Sequence, residues 1–334
     1  MLRIKCCTEK PPLRKVANSF VFWRGNMPLN NSINKMYPDG SLVASERLPL
    51  PESQLNLARR SMSAEDYARY SAVQLYAITY LSGEKFIKGF MALPSVAEEA
   101  LLPSLIFNRG GTGVRGALTA ESAMNYAGLY ASWGYICVAS QYRGQGGSEG
   151  IEEWGGRDVD DALNLIPLLD LLNYADKNRI GIIGGSRGGM MALQMLARTN
   201  RFRAAVTIGA PAALHQGPAN SYIYKTFAKF IPEGQDLREA ARARSATDFA
   251  ADICKTTPLL VLHGTGDRRV DPMHGYKLGM ALQQCNHPYK LVMYDNADHV
   301  LAGRRNESNE EIRQWVDRYV KRREALPKTG PHGA

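Results

Sequence analysis

The sequence predicts an α/β fold: a mostly parallel central sheet with helices on both faces and a leading antiparallel hairpin. Three observations lead there. From Val73 to Arg323, segments rich in β-branched and aromatic residues alternate with segments of helical period, an order that stacks helices on both faces of a parallel sheet. The series opens with two such runs joined by Ser82-Gly83-Glu84, which reads as a hairpin. With 334 residues, 45% hydrophobic and 22% charged, the chain has enough apolar material for a large core, which excludes disordered and fibrous classes. Length alone would allow two domains, but one large α/β domain uses most of such a chain.

In chain order, residues 1–60 are the least readable part. Pro11-Pro12, Pro28, Pro38-Asp39-Gly40 and Leu48-Pro49-Leu50-Pro51 break them into turns and extended pieces. They are read as an N-terminal extension, an arm over the main domain, with a partner-binding segment as the alternative. The main domain is placed at 61–325 and a tail at 326–334. Val73–Leu81 and Lys85–Leu93 form the hairpin. Pro103–Phe107 is a short apolar strand running into Asn108-Arg109-Gly110-Gly111-Thr112-Gly113. Thr119 offers an N-cap for a helix to about Trp133, which Gly134 ends. Tyr135–Ser140 is a strand. Asp158–Leu172 has helical spacing at Val159, Ala162, Leu163, Ile166, Leu169 and Leu172, with a kink predicted at Pro167. Arg179–Ile183 is a strand, Arg187–Thr199 a helix and Ala204–Ile208 a strand. Residues 211–255 are irregular and helix-prone. Leu259–Leu262 and Lys290–Tyr294 are strands, Pro272–Gln284 a helix, and Ser308–Arg323 a final amphipathic helix. Ligands of such sheets bind beyond the carboxyl ends of the strands.

Composition narrows the function. The net charge of +9 has no single dominant block; the densest basic cluster, Lys321-Arg322-Arg323, suits a helix C-terminus. No aromatic–basic interleaving accompanies it, so no nucleic-acid partner is expected. No apolar run approaches about 18 residues and no apolar core follows the basic N-terminus, so neither a membrane span nor a signal peptide is expected. Five cysteines (Cys6, Cys7, Cys137, Cys254, Cys285) without a C-x-x-C pair read as reduced thiols in a cytoplasmic protein. Lipidation at Cys6-Cys7 lacks the preceding apolar stretch.

The sharpest chemical feature is Gly184-Gly185-Ser186-Arg187-Gly188-Gly189 between a strand and a helix. A G-x-S-x-G turn in that setting lifts the serine hydroxyl off the sheet, and the helix N-terminus behind it favours developing negative charge. A Gly-rich structural turn is the plainer alternative. A serine nucleophile needs a base, and the base an orienting acid. Asp267 follows one later strand and His299 another, so Ser186, Asp267 and His299 stand in the chain order of α/β-hydrolases. His263 ends a buried strand and reads as a packed histidine. His215, His274 and His287 lie in loops or helices, and His332 in the tail. Asp295 and Asp298 are too near His299 in sequence to reach its ring from behind, and Asp271 reads as a helix N-cap. For the oxyanion, the Arg187 N–H is one expected donor and Gly111 the other, with Gly110 second choice. Arg109–Gly113 lacks the lysine of a phosphate-binding loop.

The set of segments resembles the α/β-hydrolase superfamily, and within it the catalytic domain of the prolyl oligopeptidase family of dipeptidyl-peptidase and acylaminoacyl-peptidase type. Tyr80–Pro94 is similar to the strand pair that opens those domains. Asn108-Arg109-Gly110-Gly111 stands where they have His-Gly-Gly or Tyr-Gly-Gly. Tyr142-Arg143-Gly144-Gln145-Gly146-Gly147 resembles their Tyr-Arg-Gly-Ser-Gly-Gly, and Trp154-Gly155-Gly156-Arg157-Asp158-Val159-Asp160-Asp161 matches a further stretch. Gly184–Gly189, His263–Val270 and Asp298-His299 complete the series, so the resemblance covers roughly residues 73 to 323. It implies Ser186 as nucleophile, Asp267 as orienting acid and His299 as general base. Arg109 departs from it, since this chain has no tyrosine hydroxyl there for the oxyanion. The family's β-propeller is expected to be absent, because too few residues precede the hairpin. The carboxylates that hold a free substrate N-terminus in dipeptidyl peptidases have no evident counterpart.

The expected function is a serine hydrolase that cleaves an ester or peptide bond through an acyl-enzyme on Ser186, without metal or organic cofactor. A carboxylesterase and a non-catalytic binding protein of the same fold are the alternatives. Residues 211–255 are expected to line the acyl pocket through Tyr222, Tyr224, Phe227 and Phe230, ordinary packing being the other reading of these rings. Arg109 is a further substrate-binding candidate. The partner is a small ester or short peptide, and self-association stays open.

Overall fold

The computed structural model describes residues 37–95 and 101–328. Cys6, Cys7, Pro11, Pro12, Pro28 and His332 of the sequence reading lie outside them. The strands are β1 (Leu42–Leu48), β2 (Gln74–Ser82), β3 (Lys85–Leu93), β4 (Leu102–Asn108), β5 (Ile136–Ser140), β6 (Ala175–Gly185), β7 (Phe202–Ile208), β8 (Leu259–Gly264) and β9 (Tyr289–Tyr294). They form one sheet in the order β1-β2-β3-β5-β4-β6-β7-β8-β9. β1, β2, β3 and β5 pair antiparallel in turn, and from β5 to β9 every neighbour is parallel. The hairpin closes as expected, with Leu81 opposite Phe86 and Ser82 opposite Lys85.

The boundary drawn at residue 61 does not hold. β1 lies inside the segment read as an arm, yet it pairs with β2 from Leu42↔Tyr80 to Leu48↔Leu75 as the edge strand of the sheet. Two helices, α1 (Glu52–Ser61) and α2 (Ala64–Ser71), connect it to β2. An edge strand needs only a half-apolar face, and most of β1 is exposed or half-buried, so it leaves a weak signal in sequence.

Helix α3 runs from Ala120–Ala123 through a π-helical stretch, Met124–Gly128, to Leu129–Ser132. Thr119 caps it with a reciprocal pair: its side chain accepts from the Ser122 N–H, and the Ser122 hydroxyl accepts from the Thr119 N–H. The helix expected over Asp158–Leu172 is two helices, α4 (Asp158–Leu163) and α5 (Leu165–Leu171), broken at Asn164. Pro167 has no N–H for the Leu163 carbonyl and its ring crowds that turn, so the predicted kink is a full break. α6 (Arg187–Leu196), α7 (Tyr222–Ala228), α8 (Leu237–Arg242), α9 (Met273–Gln284) and α10 (Arg305–Val316) follow, and α10 ends in a π-helical turn, Asp317–Lys321.

The sheet separates two apolar layers. Ile106, Val138 and Ile182 face Leu165, Leu169, Met190 and Leu193 on one side. Leu105, Phe107, Cys137 and Ile183 face Ala127, Tyr130, Trp315 and Val316 on the other. Alternate residues of β4 thus enter opposite layers, as a strand buried on both faces requires. The chain leaves β4 toward β5 on one side and β6 toward β7 on the other. The carboxyl ends of β4 and β6, paired through Asn108 and Gly184, therefore mark the point where connections diverge and a crevice opens.

Candidate active site

Ser186 stands at that crevice, between the end of β6 and the start of α6. Its backbone has φ 53° and ψ −126°, a conformation a non-glycine residue holds only when its surroundings impose it. The imposing contacts are local. The Ser186 N–H donates to the Ile208 carbonyl at 2.7 Å, and the Ser186 carbonyl accepts from Gly189 at 2.9 Å. The flanking glycines allow α6 to start this close: a Cβ on Gly184 would lie 2.3 Å from the Gly188 oxygen, and one on Gly188 2.0 Å from the Asn108 oxygen.

The loops after β8 and β9 deliver Asp267 and His299 to the same place. His299 Nε2 lies 2.9 Å from Ser186 Oγ, and His299 Nδ1 lies 2.7 Å from Asp267 Oδ2. A carboxylate at Nδ1 selects the tautomer with its proton there, which leaves the Nε2 lone pair facing the hydroxyl. Asp267 Oδ1 accepts the N–H groups of Arg269 (2.8 Å) and Val270 (3.0 Å). Burial alone would raise the Asp267 carboxyl. Hydrogen bonds from His263, His299 and the Val270 N–H outweigh it and hold the group well below the usual carboxylate range.

The rejected candidates have other partners. His263 is buried, as expected of a packed histidine, with Nε2 3.1 Å from the Val270 carbonyl. The sequence did not reveal that this Nε2 also lies 3.2 Å from Asp267 Oδ2, behind the acid. Asp298 accepts from the N–H groups of Val300 and Ala302 and holds the His299 loop. Asp271 accepts from the Met273 N–H at the start of α9. His274 accepts from the Ala213 N–H, His287 contacts the Thr257 carbonyl, and His215 pairs with Asp248.

The loop after β4 lies against the serine: a Cβ on Gly110 would come within 3.0 Å of Ser186 Cβ, and Gly111 has φ +73°. Arg187 begins α6, where first-turn amides have no intrahelical acceptor. Two buried arginines hold this loop. The Arg109 guanidinium donates to the carbonyls of Gly110 (3.2 Å), Gly116 (2.8 Å) and Gln141. The Arg187 guanidinium donates to the Gly111 carbonyl at 3.2 Å and pairs with Glu152 and Asp158. Glu152 also accepts from the Gly113 N–H at 3.1 Å. The Tyr142 ring lies between the two guanidinium groups, 4.6 Å from Arg109 and 5.2 Å from Arg187. Arg109 was expected to bind substrate. It lines the cavity, but its Nη1 and Nη2 groups donate to backbone carbonyls at 1% exposure, and burial pushes its pKa down to about 10. Sequence contained the members of this cluster but not their pairing.

A cavity of about 690 Å³ opens over Ser186 and His299. Phe107, Leu118, Leu129, Tyr130, Ile208 and Ile312 supply apolar wall, and Tyr222, Ile223 and Thr226 of α7 close one side. Of the aromatic residues expected there, Tyr222 lines the cavity and Tyr224 and Phe227 do not. They sit on the other face of α7: Phe227 is fully buried, its ring 5.8 Å from Trp154 and 5.8 Å from Tyr224. Phe230 packs against the same core. Phe107, Tyr126, Tyr130 and Trp154, which do line the cavity, were not among the expected substrate-binding residues. Among the described residues no helix is long and apolar enough to cross a membrane, and no cluster of three or more His, Cys, Asp or Glu side chains could hold a metal ion.

The model of the prolyl oligopeptidase family matches residues 122–323, more than half of the chain. The uncharacterized peptidase YtmA of Bacillus subtilis (strain 168) is 28% identical over 249 residues, covering 73% of this chain and 93% of that protein. The uncharacterized peptidase YuxL of the same organism is 28% identical over 251 residues, 70% of this chain but 37% of that longer protein. Among solved structures, Pyrococcus horikoshii acylaminoacyl peptidase superposes with a TM-score of 0.66 at 22% identity, over 82% of this chain and 45% of that one. The fold is of the α/β-hydrolase type.

Proposed function

The chain belongs to the prolyl oligopeptidase family and is a serine hydrolase of the peptidase type; from that premise we propose that it cleaves short peptides through an acyl-enzyme on Ser186. The observation that carries this reading is the unbroken relay Ser186–His299–Asp267, with links of 2.9 and 2.7 Å, opening into the cavity. Ser186 Oγ attacks the carbonyl carbon while His299 Nε2 takes its proton. The oxyanion that forms is met by the N–H groups of Arg187 and Gly111, with Gly110 beside them; each such donor lowers the barrier by about 2.7–4 kcal/mol. Asp267 keeps the ring oriented and stabilises the imidazolium. As the tetrahedral intermediate collapses, the C–N bond breaks and the amine leaves with the proton from Nε2. Water, deprotonated by His299, then cleaves the Ser186 ester and restores the hydroxyl.

A peptide is favoured over an ester because the relatives are named as peptidases. The test is fluorophosphonate labelling read by intact mass, followed by a peptide anilide and a short-chain nitrophenyl ester. One adduct, lost in Ser186→Ala, together with anilide hydrolysis is the expected result. Ester hydrolysis without amide hydrolysis would replace the peptidase with a carboxylesterase, and no adduct on folded protein would reject the mechanism.

A further inference from the structure

The cavity carries a charge pattern that hydrolysis itself does not require. Its charged lining residues are Arg109, Arg115, Arg187, Arg269 and Arg305, and among the described residues no aspartate or glutamate lines it. Arg109 and Arg187 are committed to the loop beside Ser186. Arg115, Arg269 and Arg305 are exposed, and none has a carboxylate partner among the described residues. Arg305 is the first residue of α10, where a cation opposes the helix dipole, so helix stability does not account for it. Its guanidinium stands 5.8 Å from the Tyr126 ring, and Tyr126 stacks on Phe107 at 4.7 Å, which sets the charge at the edge of an aromatic shelf. Arg115 reaches the same cavity from the loop after β4. A cleft with apolar walls and charges of one sign focuses its field, and guanidinium groups match carboxylates in geometry as well as charge.

Building on the hydrolase reading, we propose that the cavity selects substrates bearing a carboxylate, held by Arg115 and Arg305, over peptides that present a free amine. The carboxylate has three sources of the same chemistry: an Asp or Glu side chain, a free C-terminus, or a dicarboxylic acyl cap.

Three matched pairs of short peptides distinguish these sources: Glu against Gln, C-terminal acid against amide, and a succinyl cap against its methyl ester. The expected result is a kcat/KM ratio of roughly tenfold in favour of the acid in at least one pair at low salt. That ratio falls toward one in about 0.5 M salt and in the double variant Arg115→Gln, Arg305→Gln, whose sites are exposed. A ratio at or below one in all three pairs, or an undiminished preference in the double variant, overturns the proposal. Calorimetric binding of the same pairs to Ser186→Ala separates the two readings. Tighter binding of the acids without turnover by the native protein would keep this inference and reject the hydrolase. Turnover with no preference would keep the hydrolase and reject this inference.

Discussion

Gly188→Ala tests how the nucleophile turn is built. The added Cβ would lie 2.0 Å from the Asn108 oxygen, 2.5 Å from its carbonyl carbon and 2.6 Å from the Arg109 oxygen. Carbon and oxygen settle at about 3.3–3.6 Å, so something must move by more than about 1 Å. The neighbours are backbone atoms of a fully buried strand end, and the side chains of Asn108 and Arg109 are themselves buried, so they have little freedom to yield. The start of α6 therefore shifts, and Ser186 and the Arg187 N–H shift with it. Overpacking of this kind costs about 1–3 kcal/mol, or a fall in Tm of roughly 2–10 °C for a domain of this size. A displacement of about 1 Å in a reacting group costs about a hundredfold in rate. Gly185→Ala is the control for stability, because nothing lies within 4 Å of a Cβ built there. Calorimetry and the second-order rate of fluorophosphonate labelling read both effects. A Gly188→Ala protein with native Tm and a labelling rate within about twofold of native would refute the argument that close approach of α6 to β4 holds the serine.

Three further outcomes follow from the same geometry. Asp267→Asn presents an amide N–H₂ to His299 Nδ1 and favours the wrong tautomer, so kcat is expected to fall by about 10⁴ without loss of the folded state, measured by steady-state kinetics and circular dichroism. Glu152→Gln leaves Arg187 with Asp158 as its remaining counter-charge and loosens the Gly113 contact; removing one partner of a buried pair costs about 3–5 kcal/mol, so a lowered Tm and a kcat that falls more than KM rises are expected. His274 and His287 are held neutral, burial pushing both down to about 4. The unfolded chain takes up protons at these sites below about 6.5, whereas the native protein does so only near 4. Stability from them is therefore complete above about pH 6.5 and lost as pH falls toward 4. Tm measured from pH 7.5 to 4.5 should drop across that window, and the double variant His274→Gln, His287→Gln should flatten the drop.

The legible parts of the sequence share a physical cause. β4, β5 and β6 are buried on both faces, so their apolar runs are continuous and the loops between them stand out. Ser186 and Asp267 were found because each follows such a strand, β6 and β8, and His299 because it follows the half-buried β9; the structure brings the three within hydrogen-bond reach. β1 was missed because an edge strand needs little apolar material. The break at Asn164 was seen only as a kink, because helical period continues through a proline even when the hydrogen bonds do not.

Local chemistry in the sequence determined the order of strands and helices, the turn that exposes Ser186, and the residues able to act with it. Each of these depends on neighbours in the chain: burial on two faces, glycines beside the serine, a cap at Thr119. Only the tertiary structure decided which side of α7 faces the cavity, that Arg109 and Arg187 turn inward to clasp the loop beside the serine, and that Arg115 and Arg305 line one cavity. Those outcomes depend on contacts between residues far apart in sequence, for which a local pattern holds no signal. Glu152 and Arg187 become partners only when the sheet has placed their loops at the same end.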